Sequence, residues 1–269
     1  RFYTYATTLA YALEEVARAG ISIGVLDRVN PLTGTAMEGP TLEADELGFT
    51  AYLPMPIRHG LTLGELARLF NAENALGADL TVVGLEHWAR DAWFDETGLG
   101  WVDPSPAMRN LVAASLYPGI GAIEGANVSV GRGTDTPFQV VGAPWIDAAR
   151  LAQALNAAAL PGVRVYPTEF TPRSGPHAGE RCHGVFIVVT QRELLRAVRL
   201  GLELAHALHR HHAGEFALDR IAGLFGRDVV RRIRGGEETS AIAAAWTDVE
   251  DEWRLRRAPY LLYRPGAAP

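Results

Sequence analysis

Residues 4–27, TYATTLAYALEEVARAGISIGVLD, decide the fold class. Tyr5, Leu9, Ala12, Leu13 and Val16 fall at helical spacing on one face, and Gly20 follows as a stop. Ile21 to Leu26 is then a short apolar run ending at Asp27, which predicts a buried parallel strand. The order returns downstream. Thr62 and Glu65 are spaced as a capping box ahead of a helix reaching about Asn74, and Leu80 to Leu85 is a second strand ending at Glu86. Asn110 to Leu116 reads as a short helix, and Ile120 to Ile123 as a third strand that delivers Glu124 into a loop. Alternating helices and strands predict an α/β fold with a parallel sheet. The carboxyl ends of such strands lie along one edge, where ligands bind, so Asp27, Glu86 and Glu124 are expected to converge on one cleft.

The pattern changes after Trp145. Asp147 is placed to cap a helix through about Ala158, and Val163–Tyr166 and Val185–Thr190 read as strands. Arg192–His209, Leu218–Phe225 and Glu237–Arg256 read as helices, the last with Ile242, Trp246, Val249 and Trp253 at helical spacing. This predicts a C-terminal α+β domain, with a boundary near residue 144 and domains over 1–144 and 145–269.

Net charge −6 and a pI near 5.8 argue against a nucleic-acid partner, which normally meets a basic footprint. Every basic residue apart from histidine is arginine, and the single cysteine, Cys182, has no internal disulfide partner. No apolar run is long enough to span a bilayer, and no signal-peptide pattern is expected within these residues. The chain opens on Arg1-Phe2-Tyr3-Thr4-Tyr5 with no initiator methionine and runs directly into a helical pattern, so it is expected to be a fragment.

The chemistry concentrates in Tyr117–Trp145, YPGIGAIEGANVSVGRGTDTPFQVVGAPW, where glycines allow close backbone approach to a ligand. Glu124 is either a catalytic or sugar-binding carboxylate served by Arg132, or half of a salt bridge that closes the loop; the residues alone leave both open. Gly131–Thr134 lacks the lysine and spacing of a phosphate-binding loop, so its arginine is expected to reach a carboxylate instead. Asp27 is a second candidate acid, whereas Asn30 and Glu38 sit where turns form. His59 precedes the capped helix, where a neutral imidazole able to donate is favoured. Trp88, Trp93 and Trp101 are expected to pack rather than to stack on sugars. His206, His209, His211 and His212 fall at a helix end without a carboxylate ligand, so no metal is expected there.

Assembled in order, the pieces resemble a bacterial family, the DUF1343 proteins, associated with exo-β-N-acetylmuramidases of the NamZ type. The resemblance is carried by RFYTY (1–5), LDRVNP (26–31), EGP (38–40), PIRHGLTLGELA (56–67), PSPAM (104–108), YPG (117–119), EGANVSVGRGT (124–134), GAPWID (142–147) and YLLY (260–263). It implies a Rossmann-like domain followed by an auxiliary domain, a homodimer, export from the cytoplasm, and no metal or organic cofactor. It also implies release of terminal N-acetylmuramic acid from peptidoglycan fragments. Glu124 and Asp27 then become candidate catalytic residues, by the two-carboxylate logic of glycoside hydrolysis. Arg58, His59, Asn30, Asn127, Ser129 and Arg132 become candidate substrate contacts, with Arg132 and His59 suited to the lactyl carboxylate.

The chain departs from the family at Val29, Ala107 and Val130, where proline, asparagine and glutamate are usual. The resemblance also implies a Pro-Glu-His-Gly stretch ahead of Arg1, whose glutamate is expected to be the catalytic acid. A glycan-binding protein that keeps the cleft without the chemistry is the alternative. A nucleotide enzyme ranks below both, for want of the glycine fingerprint.

Overall fold

The structure, a computed structural model, describes residues 1–266. In chain order its elements are α1 (Tyr5–Ala19), β1 (Ser22–Leu26), α2 (Leu63–Glu73), β2 (Asp79–Val83), α3 (Leu111–Ile120), β3 (Val140–Ala143), α4 (Ala148–Ala157), β4 (Val163–Phe170), β5 (Cys182–Val189), α5 (Ala197–His211), α6 (Ala222–Phe225), α7 (Arg227–Arg234), α8 (Thr239–Ala244) and α9 (Trp246–Arg257). They form two compact units, one of Arg1–Gly100 with Thr247–Pro269 and one of Trp101–Trp246. The expected cut at residue 144 falls between β3 and α4, both inside the second unit.

In the first unit β1 and β2 pair in parallel, in a register running from Ser22 opposite Asp79 to Leu26 opposite Val83. Helix α1 stops where Gly20 turns to φ 65°, a left-handed conformation that costs glycine nothing. Thr62 and Glu65 cap α2 reciprocally: the Thr62 hydroxyl accepts from the Glu65 N–H at 3.2 Å, and Glu65 accepts from the Thr62 N–H at 3.0 Å. Both helices bury against the sheet through Ala6, Ala10, Leu13, Leu66, Leu69 and Phe70, and α9 adds Trp253.

Two expectations shift here. The inward face of α1 is Ala6, Ala10 and Leu13, so Tyr5 is exposed. The strands are covered on one side only, which leaves Leu26 63 % and Val83 52 % exposed, where burial on both faces was expected.

In the second unit β5 lies between β3 and β4, antiparallel to both. Helix α4 packs on β4 and β5, and α5 packs on α3 and α4. Asp147 caps α4 through its side chain, as the sequence predicts, and Asn110, read as the first residue of a short helix, caps α3. The predicted third strand, Ile120–Ile123, is instead the end of α3 and a 3-10 turn. Glu124 therefore does not issue from the parallel sheet. The long predicted helix over 237–256 is broken between Ala244 and Trp246.

Helices α3 and α5 cross at two glycines. A Cβ at Gly119 would lie 1.7 Å from the Ala197 carbonyl oxygen, and one at Gly201 would lie 2.4 Å from the Gly119 oxygen. Gly119→Ala must separate the helices, and its expected cost is about 3 kcal/mol. Chemical denaturation checks this; a cost within about 0.5 kcal/mol, the size of an ordinary surface change, would mean the crossing is looser than described.

Candidate functional site

Asp27 ends β1 and is 2 % exposed. Its Oδ1 accepts the Arg28 and Gly64 N–H groups, both at 2.8 Å. Its Oδ2 accepts the Thr62 hydroxyl at 2.7 Å and the Tyr263 hydroxyl at 2.6 Å. Burial and the Asp27 contact push the Tyr263 phenol above its ordinary range. With these partners, Asp27 fastens the start of α2 and the chain near Tyr263 to the strand end. Each carboxylate oxygen accepts two hydrogen bonds in this fold.

Behind it stands a group whose extent the sequence reading missed. Glu65, read there as a cap alone, is fully buried and also pairs with Arg90 and accepts the Leu262 N–H at 2.9 Å. Arg90 spans the carbonyls of Gly34 and Gly60, both at 2.9 Å, and that of Tyr263 at 3.0 Å. Arg257 reaches the same Gly34 and Gly60 carbonyls at 2.9 and 2.7 Å. Two guanidiniums thus hold the loop that carries Arg58 and His59.

His59 accepts the Leu61 N–H on Nδ1 at 3.1 Å, so in the neutral ring the proton sits on Nε2, a donor. Burial, with the nearby Arg257 charge, keeps this imidazole well below its usual pKa and hence neutral near pH 7. A histidine neutral in the fold but protonated when unfolded draws protons to the unfolded chain. His59 therefore contributes stability that is complete above about pH 6.5 and falls as the pH drops from there toward its folded value. His59→Asn should flatten that slope by close to one proton, with His209 and His211, also lowered by burial, keeping their share. Urea titrations from pH 7 to 5 read it; an unchanged slope would contradict the assignment.

Arg58 donates to the Leu32 carbonyl, stacks 5.7 Å from the Trp93 ring and pairs through its backbone with buried Glu38. Asn30 donates to the Leu61 carbonyl at 3.0 Å and accepts the Leu32 N–H at 3.1 Å, which is turn chemistry. Trp88 and Trp93 are buried, and Glu86 is exposed in the loop after β2.

In the second unit Glu124 and Arg132 form a fork. Arg132 Nη2 donates to Glu124 Oε2 at 2.9 Å and Nε donates to Oε1. The arginine is presented by Gly131 (φ 79°) and Gly133 (φ 76°). A side chain at Gly133 would come within 2.5 Å of the Ser174 nitrogen. The guanidinium also lies 5.1 Å from the Phe138 ring, which meets Tyr117 edge to face at 5.0 Å. Glu124 and Arg132 stay 29 % and 36 % exposed, so the pair is open to a ligand.

The neighbouring candidates are spent on the loop itself. Asn127 donates to the Glu215 carbonyl at 2.7 Å and accepts the Ala217 N–H at 2.8 Å. His177 Nε2 lies 3.0 Å from the Asn127 carbonyl. Ser129 is 1 % exposed, pairs with Gly142 through its backbone and accepts the Gly131 N–H at 3.3 Å. Both fasten the loop in the fold described; the sequence reading has them as candidate sugar contacts. Val130, at the position of the usual family glutamate, is 2 % exposed and faces the core. Among the described residues no three His, Cys, Asp or Glu side chains gather closely enough to hold a metal ion.

The sequence matches two family models, described as exo-beta-N-acetylmuramidase NamZ, N-terminal, over residues 1–112, and C-terminal, over residues 115–263. The peptidoglycan beta-N-acetylmuramidase NamZ of Bacillus subtilis (strain 168) is 40 % identical over 269 residues, 98 % of this chain and 64 % of that protein. The chain thus spans less than two thirds of that relative's length. A crystal structure of a DUF1343 family protein from Bacteroides fragilis NCTC 9343 superposes with a TM-score of 0.88 at 28 % identity, covering 98 % of this chain and 72 % of the other. A second from the same organism gives 0.81 at 31 % identity, covering 99 % and 73 %.

Proposed function

This chain belongs to the NamZ exo-β-N-acetylmuramidase family, and from that membership we propose that it serves an exo-acting glycoside hydrolase that releases terminal β-linked N-acetylmuramic acid from peptidoglycan fragments. The observation that carries this is the 40 % identity sustained along 98 % of the chain. The accessible Glu124–Arg132 fork supplies the polar centre.

Glycoside hydrolysis needs a carboxylic acid at the leaving oxygen and a second group at the anomeric carbon. Both oxygens of Glu124 are engaged by Arg132, so giving a proton would require breaking the fork. Asp27 is engaged more fully still. We therefore assign Glu124 to substrate positioning and charge stabilisation, and the proton donor to a residue other than these two. This agrees with the glutamate that the family resemblance sets ahead of residue 1. Arg132 is the proposed contact for the lactyl carboxylate, which a guanidinium holds in two-point fashion, and the Nε2–H of His59 is a proposed donor to sugar oxygens.

Work outside the cytoplasm, which the family resemblance implies, is part of the same proposal. Among the described residues no helix is long and apolar enough to cross a membrane. The homodimer implied by the family belongs to the same proposal, and sedimentation analysis tests it.

A second reading, a glycan-binding protein without turnover, is favoured by the buried Val130 at the usual glutamate position. A time course on linear peptidoglycan oligosaccharides separates them. Progressive release of N-acetylmuramic acid from one end supports the hydrolase; saturable binding with no product supports the second reading, and internal cleavage contradicts both.

A further inference from the structure

Within the first unit lies a cavity of about 590 Å³ lined by Thr35, Arg90, Arg257, Arg264, Tyr263 and the apolar stretch Leu261, Leu262 and Pro265. The volume is in the range of small-molecule sites. The lining includes three arginines and no carboxylate. Arg90 is matched by Glu65, to which it is bonded, and feels the charge of Asp27. Arg257 has no such partner among the described residues. It is 5 % exposed, its Nη1 is spent on the carbonyls of Gly34, His59 and Gly60, and its Nε is buried without a hydrogen-bond partner. Burial and the like charge of Arg90 pull its pKa down to about 10, with Glu65 opposing and Arg254 adding to the effect.

A buried guanidinium beside another, with one neighbouring carboxylate already bonded, is costly unless an anion completes it. The cavity supplies the room, Arg264 is an exposed cation at its edge, and Leu261, Leu262 and Pro265 supply an apolar wall. We infer that this cavity is a binding site for a small organic carboxylate, the anion facing the arginines and its carbon stem lying along the apolar wall. The lining shares no residue with the Glu124–Arg132 pair, which belongs to the other unit. It stands whether or not the chain serves a hydrolase.

Isothermal titration calorimetry with sodium D-lactate, N-acetylmuramic acid, inorganic phosphate and neutral N-acetylglucosamine tests it. In the Arg132→Ala background, which removes the proposed lactyl contact of the other unit, saturable one-to-one binding of a carboxylate probe is expected, with none of N-acetylglucosamine. Arg257 also holds the loop, so the decisive variants are Arg264→Glu and Thr35→Val, each checked by thermal melting for an intact fold. Arg264→Glu should weaken carboxylate binding at least tenfold, and Thr35→Val by a smaller factor. Phosphate binding tighter than both carboxylates would overturn the organic-carboxylate assignment. No saturable binding, or binding undiminished in Arg264→Glu, would overturn the site.

Discussion

Replacing Arg90 with alanine is expected to destabilise the first unit by about 4 kcal/mol, the cost of breaking a buried ion pair from one side. Its side chain pairs with fully buried Glu65 and also ties the Gly34, Gly60 and Tyr263 carbonyls together. Removing it leaves a buried carboxylate unpaired and several acceptors short of a donor, penalties that do not relax locally. A fall of about 10 °C in the melting midpoint should follow. Arg90→Lys should recover only part, because a single ammonium cannot span the same carbonyls and Glu65 in the planar geometry of a guanidinium. Near-native melting of the alanine variant would show that the Glu65–Arg90 group is not what holds this loop.

The second large effect concerns turnover. Glu124→Gln should lower kcat/KM for N-acetylmuramic acid release about 100-fold, close to 3 kcal/mol of transition-state stabilisation. The amide keeps the shape and one acceptor for Arg132 but removes the negative charge. Because the pair is 29 % and 36 % exposed, its contribution to stability is modest, and the melting midpoint should move by no more than about 3 °C. Loss of activity with an intact fold is the signature sought. Turnover within a few-fold of the parent would remove Glu124 from the reaction and leave it as a loop fastener.

Much of the fold is legible in local sequence, because helix caps and stops act over a few residues. Gly20, the Thr62–Glu65 box and Asp147 all act where the sequence places them. Short apolar runs are different. Ile120–Ile123 reads equally well as a strand or as the end of a helix, since four residues hold too little periodicity to decide. Strand β3 is hidden for the converse reason: Val140–Ala143 becomes a strand by pairing with residues 183–186, which no local pattern announces.

The site divides along the same line. The Glu124–Arg132 fork spans eight residues, and its flanking glycines mark it. The partners that fasten Asn127 lie 88 and 90 residues away, and Arg257 meets Gly60 across 197. Such contacts are products of tertiary folding, and they turn residues that look free in sequence into parts of the scaffold. The Tyr263 hydroxyl on Asp27, across 236 residues, is the extreme case.

The central claim is exo-cleavage at N-acetylmuramic acid, and two disaccharides of opposite order test it most directly. One carries β-linked N-acetylmuramic acid at the non-reducing end, the other carries N-acetylglucosamine there, and chromatography with mass detection follows the products. The account predicts free N-acetylmuramic acid from the first and an unchanged second. Cleavage of the second with the first left intact would contradict it.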